Sequence, residues 1–153
     1  MTHSDTASAA VRAFLTGDFS EYRQLYEQLG RGDRGAFAVV LAAAFKDAAT
    51  RRFGESASIG DIIGFVAQAR AQYPRVAETV TADDAETAIR AVLGEDHLLD
   101  TMDGKAYGAA QASMLFALTH ENEEARAGIH ALVSSATDQA EDYLRRREHQ
   151  GLW

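Results

Sequence analysis

Residues 123–148 read Glu-Glu-Ala-Arg-Ala-Gly-Ile-His-Ala-Leu-Val-Ser-Ser-Ala-Thr-Asp-Gln-Ala-Glu-Asp-Tyr-Leu-Arg-Arg-Arg-Glu. Ile129, Leu132, Val133, Ala136, Ala140, Tyr143 and Leu144 keep one phase on a helical period, so one apolar stripe runs the length of the stretch. Asn122 stands where a cap would accept the first free N–H groups. Glu123 and Glu124 suit the positive end of a helix dipole, and Arg145, Arg146 and Arg147 suit the negative end. The pattern predicts one long helix from Glu123 to about Glu148, bent, if anywhere, at Ser134-Ser135.

Moving outward, the same grammar repeats. Tyr107, Ala110, Met114, Leu115 and Leu118 predict a helix from about Gly104 to Thr119, preceded by a short one over residues 95–102. Thr81 and Asp84 open a helix that Gly94 closes, with Ala85, Ala88, Ile89 and Val92 along one side. Ser58 and Asp61 open another, whose buried face is expected to hold Ile59, Ile62, Ile63, Phe65, Val66 and Ala69. It ends before Pro74, which drives Tyr73 out of helical geometry, and a short link follows. Gly60, Gly64 and Ala71 lie near one line on that helix, as do Ala106 and Ala110 on a later one; the expected use is tight packing, the alternative a dimer seam.

Residues 35–52 form an apolar segment of the kind found at a bundle centre, stopped by Gly54. Asp18 with Glu21 forms a capping-box pattern ahead of Phe19, Tyr22, Leu25, Tyr26 and Leu29; Gly30 is expected to end that helix in the left-handed conformation, and residues 30–35 to form a flexible turn. The first helix runs from about Asp5 to Thr16 and stops at Gly17. No stretch alternates with period two, so the fold class is all-α: a single-domain helical bundle of six to eight helices over residues 1–153.

Composition agrees. The chain has 153 residues, 46% of them hydrophobic, and its 30 alanines favour helix. With no cysteine there is no disulfide framework, thiol nucleophile or thiolate metal site. The net charge of −8 disfavours nucleic acid and anionic membranes as partners. Residues 1–76 carry 9 basic and 8 acidic groups, whereas residues 77–153 carry 6 and 15. The expected reading of this split is a solubilising acidic face; the alternative is a field that steers a basic partner or the basic part of a second copy. Lacking a signal-like start or an apolar run beyond ten residues, the chain is expected to be cytoplasmic. Abundant alanine, with 13 arginines to 2 lysines, suggests a bacterial source.

Candidate chemistry is sparse. Asp96, Asp100 and Asp103 fall at i, i+4 and i+7 of a helix with His97 beside them, a set that could hold a hard divalent cation. His120 and Glu121, with His130 further on, form a possible acid–base group. Arg31 and Arg34 in the glycine-rich turn invite comparison with a phosphate cradle, although no strand precedes it. The segments 35–52 and 58–73 resemble a helix-turn-helix, but the second would have to turn Ile62, Ile63, Phe65 and Val66 towards bases. Tyr22 and Tyr26, one turn apart, are candidates for lining a small-ligand pocket. Leu152 and Trp153 are candidates for contacting a partner. The expected function is a non-enzymatic helical interaction or regulatory protein that self-associates, with no cofactor and with a homo-oligomer or another protein as partner. The alternatives are a small-ligand-binding helical domain and an enzyme using the carboxylates and histidines of residues 95–130.

Overall fold

A computed structural model describes residues 2–54 and 56–151. Its helices are α1 (His3–Leu15), α2 (Phe19–Glu27), α3 (Arg31–Phe53), α4 (Ile59–Gln72), α5 (Pro74–Thr79), α6 (Ala82–Val92), a 3-10 helix (Asp96–Thr101), α7 (Gly104–Thr119), α8 (Glu123–Ala127) and α9 (Ile129–His149). The described residues contain no strand, so the all-α class holds. The helix count exceeds the expected six to eight for two local reasons.

The first is the C-terminal stretch, which breaks at Gly128 and not at Ser134-Ser135. The Gly128 N–H donates to the Glu124 and Ala125 carbonyls, both at 3.1 Å, closing α8, while the Gly128 carbonyl accepts from Leu132 N–H at 2.9 Å and opens α9. Ser134 and Ser135 are exposed and leave α9 unbroken. The second is the expected link after Pro74, which forms a helix of its own. Tyr73 is extended, at φ −120° and ψ 95°, so α4 ends there. Pro74 then occupies the first position of α5, where its missing N–H has no consequence.

Most caps behave as anticipated. Ser58 forms the expected reciprocal capping box with Asp61, while α1 starts at His3, before the expected Asp5, with Thr2 and Asp5 forming its capping box. Asp18 caps α2 through Glu21 N–H alone, because its own N–H donates at 3.0 Å to the Ala13 carbonyl. That bond and Gly17 N–H to Phe14, at 3.2 Å, form a Schellman turn around Gly17 at φ +83°. Gly30 is not left-handed. Its N–H donates at 3.2 Å to Asp33 Oδ2 and its carbonyl accepts from Arg34 N–H at 2.9 Å, so it starts α3 and most of the expected flexible turn is helix.

The chain packs as two units, residues 1–44 with 122–153 (the terminal unit) and residues 45–121 (the middle unit). In the terminal unit α1 packs on α2 and α9. Val11, Leu15, Leu132 and Val133 are fully or almost fully buried there. Hydroxyls cross this apolar seam: Ser4 Oγ donates to Glu141 Oε1 at 2.9 Å, and Ser8 Oγ meets Thr137 Oγ1 at 2.5 Å. In the middle unit α4 packs on α5, α6 and α7, and α6 on α7 and the 3-10 helix. Ile62, Phe65, Val66 and Ala69 form the buried stripe of α4, and Phe65 meets Phe53 edge-on at 5.6 Å. Ile59 and Ile63, expected on that stripe, are instead 56% and 47% exposed. Four positions at i, i+3, i+4 and i+7 already complete one helical face, and Ile63 lies about 100° away from Ile62.

Candidate functional site

The acidic and imidazole groups of residues 95–121 do not converge. The segment holding Asp96, His97 and Asp100 is a 3-10 helix, so the expected α-helical alignment at i, i+4 and i+7 does not form. All four proposed ligands, Asp103 included, are exposed. Asp103 Oδ1 caps α7, accepting from Lys105 N–H at 2.7 Å and Ala106 N–H at 3.1 Å. Glu95 chelates Arg90 at 2.8 and 3.0 Å, and this bond holds its carboxyl below the usual range. Among the described residues no three such side chains gather in a way that could hold a metal ion.

His120 and Glu121 part company. The His120 ring stacks on Phe116 with centroids 4.2 Å apart, and its carbonyl accepts from Tyr73 Oη at 3.4 Å. Glu121 takes both its oxygens to Arg52 Nε, at 2.7 and 2.9 Å. The Arg52 guanidinium also lies over the rings of Phe53 and Phe65, at 4.9 and 5.6 Å. A cavity of about 30 Å³ bordered by Phe65, Gln72, Tyr73 and Glu121 has room for little more than a water molecule. His130, on α9, is exposed.

Tyr22 and Tyr26 belong to an aromatic cluster. Their centroids are 5.7 Å apart, Tyr22 meets Phe14 at 5.2 Å, and Tyr26 meets Phe37 edge-on at 5.4 Å. Arg34 lies 5.1 Å above the Tyr26 ring. Burial pushes the Tyr22 hydroxyl pKa above its ordinary value. The two tyrosines thus pack on rings, and neither lines the groove described next. Leu152 and Trp153 lie outside the described residues.

An open groove of about 940 Å³ in the terminal unit escaped the sequence reading. The first turns of α3 supply Arg31, Gly32, Gly35, Ala36 and Val39, and the last turns of α9 supply Glu141, Tyr143, Leu144, Arg145, Arg147 and Glu148. Spacings of three and four place the α3 set on one helix face, and Glu141, Leu144, Arg145 and Glu148 on one face of α9, with Tyr143 and Arg147 at its flank. Thr2, His3 and Ser4 complete the lining. His3 is fixed by Asp33, Nδ1 to Oδ1 at 2.5 Å, and its ring covers Gly32, where an added Cβ would meet Nε2 at 2.8 Å. This bond, and then Gly30 N–H, holds the Asp33 carboxyl below the ordinary value. The signal in the sequence was the Gly-Arg-Gly-Asp-Arg-Gly run. Its partner on α9, more than a hundred residues away, carried no mark.

A second surface lies on α4. Beside exposed Ile59 and Ile63 stand Gly60 and Gly64, also exposed. A Cβ added at Gly64 would meet nothing within 4 Å, and one at Gly60 would meet only Ser58 Oγ, at 3.7 Å. Among the described residues nothing packs tightly against these two glycines. Ala67 and Ala71 extend the exposed face towards the end of the helix. Compared with known proteins, the chain matches no family model, no curated protein and no solved structure.

Proposed function

We propose that this protein is a non-enzymatic helical interaction protein that pairs with a second copy of itself through the outward face of α4. The observation that carries the reading is the uncovered combination of Ile59 and Ile63 with Gly60 and Gly64. A two-fold contact brings one face against itself, so that face must be complementary to its own shape. Here the isoleucines are ridges and the adjacent glycines are notches, one residue apart along the same helix. Small residues let the axes approach closely enough for the isoleucines to lose their water. Ile59, Gly60, Ile63, Gly64, Ala67 and Ala71 carry no ionisable side chain, so a chain of charge −8 brings no like charges into the seam. One pair of helices about 20 Å long covers less than a standard interface, which makes the pairing weak and concentration-dependent.

The engagement of the candidate reactive groups supports the non-enzymatic part of the reading. Glu121 is chelated by Arg52, Glu95 by Arg90, and Asp103 caps a helix. Sedimentation equilibrium over a wide concentration range, in salt high enough to screen the net charge, tests the pairing. The weight-average mass rises from 16.6 kDa towards twice that value. Ile63→Glu places a charge in the seam and holds the mass at that of one chain. A wild-type chain that remains single at millimolar concentration ends the proposal.

A further inference from the structure

The groove of the terminal unit points to a second activity, independent of the α4 seam: we infer that it binds a small amphiphilic anion. The head group would be a carboxylate or phosphate met by Arg31 and Arg145, and the apolar body would lie along Ala36, Val39 and Leu144.

The charge pattern comes first. Arg31 and Arg145 both line the groove, and among the described residues neither has a hydrogen-bond or ion-pair partner. Arg147 differs, donating to Tyr143 Oη at 3.0 Å. On the acidic side, Glu141 accepts from Ser4 Oγ at 2.9 Å, and Glu148 lies at the exposed end. Among the lining residues three arginines stand against two glutamates, +1 in a chain of −8. Guanidinium groups without a partner take carboxylate or phosphate oxygens in pairs, with a directionality that a lysine lacks.

The wall comes second. The groove is lined more by apolar than by polar surface. Gly35 leaves its floor open, since an added Cβ there would meet nothing within 4 Å. A volume of about 940 Å³ lies in the range that accepts a ligand of metabolite or short acyl-chain size. A bare inorganic anion would leave this wall wet, and a neutral chain would leave both guanidiniums unmatched. An amphiphilic anion satisfies both.

The test is calorimetric titration of the full chain with octyl phosphate, set beside octylammonium, octanol and inorganic phosphate. Octyl phosphate binds once per chain, and octylammonium and inorganic phosphate bind at least tenfold more weakly. Arg31→Gln combined with Arg145→Gln weakens octyl phosphate at least tenfold and leaves octanol unchanged. Gly35→Leu fills the floor and abolishes binding of both octyl phosphate and octanol. That variant retains the fold, because Gly35 lies in regular helix with open space around it and leucine is the better helix former; circular dichroism checks this. Equal binding of octylammonium, or octyl phosphate affinity that survives either variant, overturns the inference. So does inorganic phosphate binding as tightly as octyl phosphate. Binding to phosphatidylglycerol vesicles without binding to dissolved octyl phosphate also overturns it, by making the surface a membrane contact.

Discussion

The two units hold their helices together with different chemistry. In the terminal unit the seam between α1 and α9 carries hydroxyls among its alanines and valines: Ser8 and Thr137 meet at 2.5 Å, Ser8 Oγ also reaches the Ser4 carbonyl at 2.6 Å, and Thr137 Oγ1 reaches the Val133 carbonyl at 2.6 Å. With one proton each, one of the two hydroxyls donates across the seam and the other donates to the carbonyl of its own helix, so neither is stranded. In the middle unit α7 buries Met114 and Leu115 completely and also buries Gln111, whose Nε2, like Arg12 Nε on α1 of the terminal unit, has no hydrogen-bond partner among the described residues. A short hydroxyl can fold back on its own helix, whereas a long amide needs a partner elsewhere. The same contrast marks the surfaces. The terminal unit exposes a charged groove, and the middle unit exposes an uncharged ridge-and-notch face on α4.

Core truncation probes this comparison with the largest effect. Leu15 in α1 and Leu115 in α7 are both fully buried. Leu15→Ala and Leu115→Ala are each expected to lower stability by about 3 kcal/mol in urea denaturation, the loss of transfer energy plus an unfilled cavity. Similar losses mean that carbon packing contributes alike to both units; a loss below about 1 kcal/mol in either would mean that its core collapses around the gap.

The polar contrast gives smaller effects of opposite sign. Ser8→Ala removes the cross-seam bond and is expected to destabilise by about 1 kcal/mol, since Thr137 keeps the Val133 carbonyl. Gln111→Leu replaces an unpaired buried amide by carbon of similar length and is expected to stabilise by about 1 kcal/mol. Thermal and urea melts of the two variants check the signs. Destabilisation by Gln111→Leu would show that the amide has a partner in solution and would erase the distinction.

Acid titration gives the smallest expected effect. Asp5 and Asp33 in the terminal unit and Glu95 in the middle unit all titrate below their ordinary values of 3.8 and 4.5 in the folded chain. Carboxyls lowered on folding contribute stability that is complete above the ordinary value and is lost as the pH falls through the lowered one. Denaturation followed below pH 4.5 should therefore show a falling midpoint. Asp33→Asn and Glu95→Gln should each flatten the fall, through the loss of His3 and Arg90 respectively. An acid slope unchanged by both variants would remove these exposed pairs from the account of stability.

Much of the local structure was legible along the chain. Asp18, Ser58, Thr81, Asp103 and Asn122 begin helices because short side-chain acceptors reach N–H groups two or three residues on, and Gly17, Gly54 and Gly94 end them at positive φ. Two misreadings have local causes. Gly30 resembles a helix stop and is a helix start, because the Asp33 carboxylate accepts its N–H. Asp96, Asp100 and Asp103 would line up on an α-helix, but residues 96–101 wind as a 3-10 helix and Asp103 caps α7, so the alignment does not form. Tyr22 and Tyr26, expected as a pocket wall, meet the rings of Phe14 and Phe37 in the structure.

Sequence alone determined that the polypeptide is helical, roughly where each helix begins and ends, and that thiol chemistry is absent, because these depend on bonds within a few residues or on composition. Only the tertiary structure decided which of two apolar arcs on α4 is buried, that Arg31 and Arg145 line one groove, and that Glu121 meets Arg52 and not His120. Such pairings depend on how one helix is rotated against another. A repeat of 3.6 residues fixes the phase of each stripe but not the neighbour it meets.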